Sequence, residues 1–164
     1  MDYEIKLFVT GGTFDKEYNE RSGQLFFQDT HVHRMLKLGR SLLDVRVETL
    51  MLQDSLHMSI SQRNYLLQRC QEEPCEHIVI THGTDTMVET AAVLAEQITD
   101  KTIVLTGAMI PYCFTSSDGL FNLGSALSFV QILDHGVYIA MNGRWFNWNE
   151  VRKNHKQGLF ESID

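Results

Sequence analysis

Proline is nearly missing from this chain of 164 residues, with only 2, and its 3 cysteines (Cys70, Cys75 and Cys113) are an odd number without a CxxC pair. With 43% hydrophobic and 21% charged residues, a disordered or fibrous chain is excluded. The cysteine pattern excludes a disulfide framework and fits reduced thiols in a cytoplasmic protein. No apolar run exceeds the five residues of 91–95 or 137–141, too few for a membrane span. The N-terminal Met1-Asp2-Tyr3-Glu4 is acidic and carries no signal-peptide apolar region. Positive charge is scarce as well. Lys and Arg number 14 against 21 Asp and Glu, a net charge of −7, and no basic cluster stands out. Nucleic acid and anionic membrane surfaces are therefore not expected as partners.

Several chemical signatures are also missing. No GxxxxGK[ST] or GxGxxG loop is present for phosphates, and there is no GxSxG elbow. The 7 histidines do not make a metal site, because His31 and His33 are spaced i, i+2 and no HExxH or Cys/His grouping occurs. Neither a metal nor a cofactor is expected. His82, beside Gly83, reads as a structural residue beneath a site.

What is present is an alternation. Short β-rich apolar runs at 5–10, 45–51, 77–81, 103–106 and 137–141 read as strands, and continuous apolar runs without polar alternation are what strands buried on both faces need. Helical patterns separate them. Ser59-Ile60-Ser61-Gln62 has capping-box spacing, and Thr86-Met87-Val88-Glu89 repeats it. Leu120, Leu123, Leu127 and Val130 form an apolar stripe, and a shorter helix is expected over 31–40. The pattern predicts an α/β fold, a doubly wound and mainly parallel sheet with helices on both faces, as one domain over residues 1–164. Residues 14–30 are polar and read as a loop acting as a lid. The segment 142–164, with Trp145, Phe146 and Trp148, has no clean period.

Open α/β sheets bind ligands beyond the carboxyl ends of their strands. Those positions hold Thr10-Gly11-Gly12-Thr13, Gln53-Asp54-Ser55, Thr81-His82-Gly83-Thr84-Asp85-Thr86, Thr106-Gly107-Ala108-Met109 and Asn142-Gly143-Arg144. They are rich in hydroxyls and permit close backbone approach. Two uses fit: a threonine nucleophile, or a hydroxyl-lined pocket for a small polar ligand. Gly11-Gly12 could equally be an ordinary turn capped by Thr13, and Asp85 and Thr86 could cap the following helix. A threonine nucleophile needs a base or cation nearby, and Lys153 could serve if threaded back to Thr84 or Asp85.

Taken together, Thr10-Gly11-Gly12-Thr13, Thr81-His82-Gly83-Thr84-Asp85-Thr86-Met87, Gly107-Ala108-Met109-x-Pro111, Ser117-Asp118-Gly119-x-Phe121-Asn122-Leu123 and Val151-x-Lys153 resemble the bacterial-type L-asparaginases and glutaminase-asparaginases. The blocks keep the family's order, and the resemblance extends to the family's N-terminal domain alone; the smaller second domain is expected to be absent. It implies hydrolysis of the side-chain amide of L-asparagine, or of a related small amide, to the acid and ammonia through a threonine acyl-enzyme. Thr13 is then the nucleophile, and Thr84, Asp85 and Lys153 form a second catalytic group. Tyr18 stands for the lid tyrosine, and substrate contacts fall to Gly12, Gln53, Asp54, Gly83, Asp85 and Ala108. Leu52 stands where the family usually has a serine, and Ile110 where it has an arginine. Self-association through the C-terminal segment, as a homodimer or homotetramer, is expected because Trp145, Phe146 and Trp148 would be costly to leave exposed. An alternative reading is a weak or inactive module that binds an amino acid or amide in the same pocket.

Overall fold

A computed structural model describes residues 4–163; Met1, Asp2, Tyr3 and Asp164 lie outside the described residues. The strands β1 (Glu4–Gly11), β4 (Asp44–Gln53), β5 (His77–Thr81), β6 (Thr102–Thr106), β7 (Gly136–Met141) and β8 (Arg144–Asn147) form one six-stranded sheet in the order β4-β1-β5-β6-β7-β8. The first five run parallel and β8 pairs antiparallel with β7. This is the expected doubly wound, mostly parallel arrangement, and β1, β5, β6 and β7 are the strands buried on both faces; the 45–51 run is not, because β4 is an edge strand on which Arg46 and Thr49 are exposed.

Two apolar layers cover the sheet. On one face Phe8, Ile78, Ile80, Ile103 and Leu105 meet Leu66 and Cys70 of α2 (Ile60–Glu72) and Met87, Ala91 and Leu94 of α3 (Met87–Ala95). On the other, Leu7, Val9, Val79 and Val104 meet Val32 and Met35 of α1 (Val32–Leu38) and Leu123, Ala126 and Leu127 of α4 (Gly119–Phe129). The period of two along each strand assigns successive side chains to opposite layers. At α2 the Ser59 capping box is complete, with Gln62 N donating to Ser59 Oγ and Ser59 N donating to Gln62 Oε1. No helix among the described residues is long and apolar enough to cross a membrane.

One connection breaks the usual handedness. The chain steps the same way across the sheet from β5 to β6 and from β6 to β7, yet α3 and α4 lie on opposite faces. The crossover through α4 therefore has the opposite hand to the one through α3. The crossovers through α1 and α2 share the hand of the α3 crossover, which identifies β6–α4–β7 as the left-handed exception to a strongly right-handed rule. The twelve-residue connection from 107 to 118 makes it possible. Asp118 gathers this connection by accepting from Met109 N and Ile110 N, and Asn122 Nδ2 donates to Gly107 O.

Two segments depart from expectation. Residues 14–30 are a 3₁₀ turn (Thr13–Asp15) and a β-hairpin of β2 (Lys16–Asn19) and β3 (Gln24–Phe27), rather than an irregular loop. The C-terminal stretch is also ordered: β8 closes the sheet, and β9 (Val151–Asn154) pairs with β10 (Leu159–Ser162). Of its aromatics, Phe146 is buried, Trp148 packs against the core, and Trp145 stands edge-on to Tyr138 while 44% exposed. Most of that aromatic group is satisfied within the chain.

Beneath the end of β5, His82 is fully buried, and its Nδ1–H donates to Gly83 O at 2.7 Å. Because a carbonyl only accepts, that proton must sit on Nδ1, and Nε2 accepts from Thr90 Oγ1 at 2.8 Å. Arg63 Nε in turn donates to Thr90 Oγ1 at 3.0 Å. Burial holds the imidazole neutral and pushes its pKa down from 6.5 to about 4. The unfolded chain therefore takes up a proton first as pH falls. The stability from neutral His82 is complete above pH 6.5 and is lost as pH falls towards 4, amounting to about 3 kcal/mol. Urea unfolding of wild type should show its midpoint dropping across that window, and His82→Gln should show a flatter dependence. Parallel pH profiles for the two proteins would contradict this assignment.

Candidate active site

Four strand ends converge at the carboxyl edge of the sheet. β1 and β4 keep register to Val9–Thr49 and then slip, so that Gly11 lies opposite Gln53. Gly12 N then donates to Gln53 O at 2.9 Å. Gly12 sits at φ +76°, and a Cβ on it would come within 2.4 Å of the Gly83 backbone. A Cβ on Gly83 would lie 2.5 Å from the Ser55 side chain. Only glycine allows this backbone-to-backbone approach. It places the loop that carries Thr13 directly against the loop that carries Thr84.

Thr13 begins the 3₁₀ turn and is half-buried. That turn has no side-chain cap, and Thr86, at the start of α3, donates from Oγ1 to Ser55 O rather than capping its helix. The simple capping readings therefore do not describe either motif. Thr10 and Thr106 also leave the list of free hydroxyls, because each donates to a neighbouring strand: Thr10 Oγ1 to Thr81 O, and Thr106 Oγ1 to Ala140 O, both at 2.8 Å.

Lys153 comes from the far end of the chain. The β9–β10 hairpin is pinned by buried Val151 and Phe160, which share a core layer with Met87 and Leu105. Asn142 Oδ1 accepts from Phe160 N at 2.8 Å and fixes the hairpin against the end of β7. This returns Lys153 Nζ to donate to Thr84 Oγ1 at 2.7 Å and to Asp85 Oδ1 at 2.6 Å. The Lys153 side chain is 10% exposed, so the pair is screened less than a surface ion pair. Thr84 Oγ1 accepts the lysine's hydrogen bond and keeps its own hydroxyl hydrogen to donate elsewhere.

The remaining candidates are distributed around this cluster. Gln53 is half-buried at the end of β4, and Ala108 is buried beyond Gly107, where β6 ends against the β5 loop. Asp54 Oδ1 accepts from Leu56 N at 3.0 Å, and its Oδ2 accepts from Lys16 Nζ at 2.5 Å. Burial works to raise the Asp54 carboxyl, but the Lys16 ammonium and the Leu56 N–H outweigh it and hold it below the usual carboxylate range. Tyr18 is 55% exposed on β2, with its hydroxyl near the hairpin turn at Gly23, and the structure does not join it to the Thr13 and Thr84 loops.

Three residues here were given no role by the sequence. Ser55 is buried beside Gly83, and its Oγ has no hydrogen-bond partner among the described residues. An orphaned hydroxyl in such a place is a ready donor or acceptor for a ligand. Its position directly after Gln53-Asp54 at a strand end was the available signal. Lys16, three residues after Thr13, reaches the same rim through Asp54. Asp15 is fully buried, and its Oδ1 accepts from His31 N at 2.8 Å and from Thr30 Oγ1 at 3.0 Å, clasping the base of the hairpin. Burial raises its carboxyl above the usual range.

The family profile described as Asparaginase, N-terminal, matches residues 4–164. The L-asparaginase of Thermococcus kodakarensis is 41% identical over 91 residues, covering 53% of this chain and 28% of that one. The glutaminase-asparaginase of Acinetobacter glutaminasificans is 45% identical over 80 residues, 46% of this chain and 24% of that one. The solved thermostable L-asparaginase of T. kodakarensis superposes with a TM-score of 0.86 at 27% identity, covering 98% of this chain and 51% of that one. The probable cytoplasmic L-asparaginase of Campylobacter jejuni gives 0.84 at 31% identity, with coverage of 99% and 53%. The chain thus spans about half the length of these solved relatives.

Proposed function

The chain belongs to the asparaginase family by its match to the N-terminal domain, and from that premise we propose that it hydrolyses the side-chain amide of L-asparagine, or of a related small amide, to the acid and ammonia. The observation that carries this reading is the donation from Lys153 Nζ to Thr84 Oγ1 and Asp85 Oδ1, beside the Gly12–Gly83 contact that brings in the loop of Thr13.

In this reading Thr13 Oγ attacks the amide carbon, and its proton passes to the Thr84-Asp85-Lys153 group. The C–N bond breaks, ammonia leaves with a proton from that group, and an ester to Thr13 remains. Water attacks the ester and gives up a proton to the same group, which passes it to Thr13 Oγ as the ester C–O bond breaks, releasing the free acid and restoring the Thr13 hydroxyl. Backbone N–H groups near Gly12 and Thr84 supply the oxyanion donors, each worth about 10²–10³ in rate. Asp85 receives the α-ammonium. Gly12, Gln53, Asp54, Gly83 and Ala108 border the bound amino acid, and Tyr18 acts when the hairpin bends over it. The name of the C. jejuni relative supports a cytoplasmic setting. Relatives named L-asparaginase and glutaminase-asparaginase support an amide of this size without choosing between the two amino acids.

Thr13→Val keeps nearly the same volume and should abolish ammonia release from asparagine while leaving the urea midpoint unaltered. Lys153→Met should lower kcat by at least about 10²-fold, the scale of a lost acid–base partner. Full activity in Thr13→Val would overturn the mechanism. Aspartate binding without ammonia release in wild type would favour the binding-module alternative.

Self-association, as a dimer or tetramer, is part of the same proposal. The exposed apolar side chains Leu38, Leu42 and Phe121 border neighbouring clefts against α1 and α4 that share Leu120, and this surface supports self-association better than the C-terminal aromatics do. Sedimentation at micromolar concentration should give a dimer or tetramer, and Phe121→Glu should shift it to monomer. A monomeric wild type would contradict the claim.

A further inference from the structure

The strand ends carry two ammonium groups, and the proposed reaction uses only one. Lys153 is committed to Thr84 and Asp85. Lys16 is the other. It opens β2 directly after the 3₁₀ turn of Thr13, so three residues of chain, about 10 Å at full stretch, separate it from the proposed nucleophile. Its side chain is 18% exposed, and its ammonium lies 5.7 Å from the centre of the Phe27 ring, the residue opposite it in the hairpin. The charge is therefore held at the base of the hairpin rather than waving in solvent.

Its partner Asp54 lies between Gln53, whose carbonyl accepts from Gly12 N, and Ser55, whose unpartnered hydroxyl packs against Gly83. Both Asp54 oxygens are engaged, one by Leu56 N and one by Lys16. A carboxylate arriving at this rim would be repelled by Asp54 alone, and needs a cation. We propose that Lys16 is the carboxylate anchor of the site, with Asp54 holding its ammonium while the site is empty and the α-carboxylate of an amino-acid amide taking it up on binding. The inference rests on the amidohydrolase reading and gives its substrate class: amides that also carry a free carboxylate, in preference to simple amides. Capture of the carboxylate also draws the base of the hairpin onto the ligand, because Lys16 is part of β2.

The test compares asparagine with β-alaninamide, which is asparagine without its α-carboxylate. Lys16→Met should raise KM for asparagine ten- to a hundredfold, the scale of a lost hydrogen bond between charged groups. Its loss of kcat/KM on asparagine should exceed its loss on β-alaninamide by the same factor, and Lys16→Arg should recover most of the asparagine affinity. Equal losses on both amides would reduce Lys16 to a pin for the hairpin and overturn the proposal. Calorimetric titration with aspartate separates this claim from the reading it rests on. Aspartate affinity that falls at least tenfold in Lys16→Met, in a protein that releases no ammonia, would remove the hydrolase and leave the anchor standing. Ammonia release with aspartate affinity indifferent to Lys16 would remove the anchor and leave the hydrolase. A wild type that neither binds aspartate nor releases ammonia would overturn both.

Discussion

Gly12 and Gly83 touch backbone to backbone, and the arrangement of the site follows from that contact. A single added carbon at either position would come within about 2.5 Å of its neighbours. Far below van der Waals distance, such a carbon would force two strand-end loops apart. The loops so joined come from β1 and β5, adjacent parallel strands in the middle of the sheet. The slip of β4 against β1 adds Gln53, Asp54 and Ser55 to the same knot. Thr13 and Thr84 are thus held together by main chain rather than by side-chain contacts of their own.

Around this knot the polar groups divide into those that hold and those left free. The chain of hydrogen bonds from Arg63 through Thr90 and His82 to Gly83 O holds the β5 loop from below. Asp118 and Asn122 hold the loop after β6, which has to wrap to the other face of the sheet for the left-handed crossover. The threonines Thr10 and Thr106 belong to this scaffold, each lacing one strand to the next. Among the described residues at these strand ends, the hydroxyls of Ser55 and Thr81 are buried without a partner, and Thr84 keeps its hydroxyl hydrogen while its oxygen accepts from Lys153. A site built this way is preorganised, since positioning its groups adds no reorganisation at the moment of reaction.

The strands β5, β6 and β7 were legible because burial on both faces leaves an unbroken apolar run, and α2 because it begins with a complete capping box. The hairpin of residues 16–27 was not legible. Its strands are four residues each, β2 polar and β3 largely apolar yet exposed at Leu25 and Phe26, and nothing in their period distinguishes them from a loop. The strand β8 owes its form to pairing with β7, a tertiary effect that local pattern does not carry. The handedness of the α4 crossover was equally hidden, since apolar spacing in a helix does not say which face of the sheet it will cover. At the site, Thr13, Thr84, Asp85 and Lys153 could be singled out by residue type at strand ends and by family resemblance. Ser55 stands at a strand end in the sequence, but its orphaned hydroxyl, like the ion pair from Lys16 on β2 to Asp54 after β4, exists only once the chain is folded.

The central claim is covalent: an ester forms between Thr13 Oγ and the acyl group of the substrate. Acid-quenching the protein during turnover of asparagine, followed by peptide mass mapping, tests it directly, with hydroxylamine added in a parallel reaction to capture the acyl group as a hydroxamate. An aspartyl adduct on the peptide that contains Thr13, together with hydroxamate formation, is the expected result. An adduct mapped to Thr84, or steady ammonia release with neither an adduct nor a hydroxamate, would contradict it.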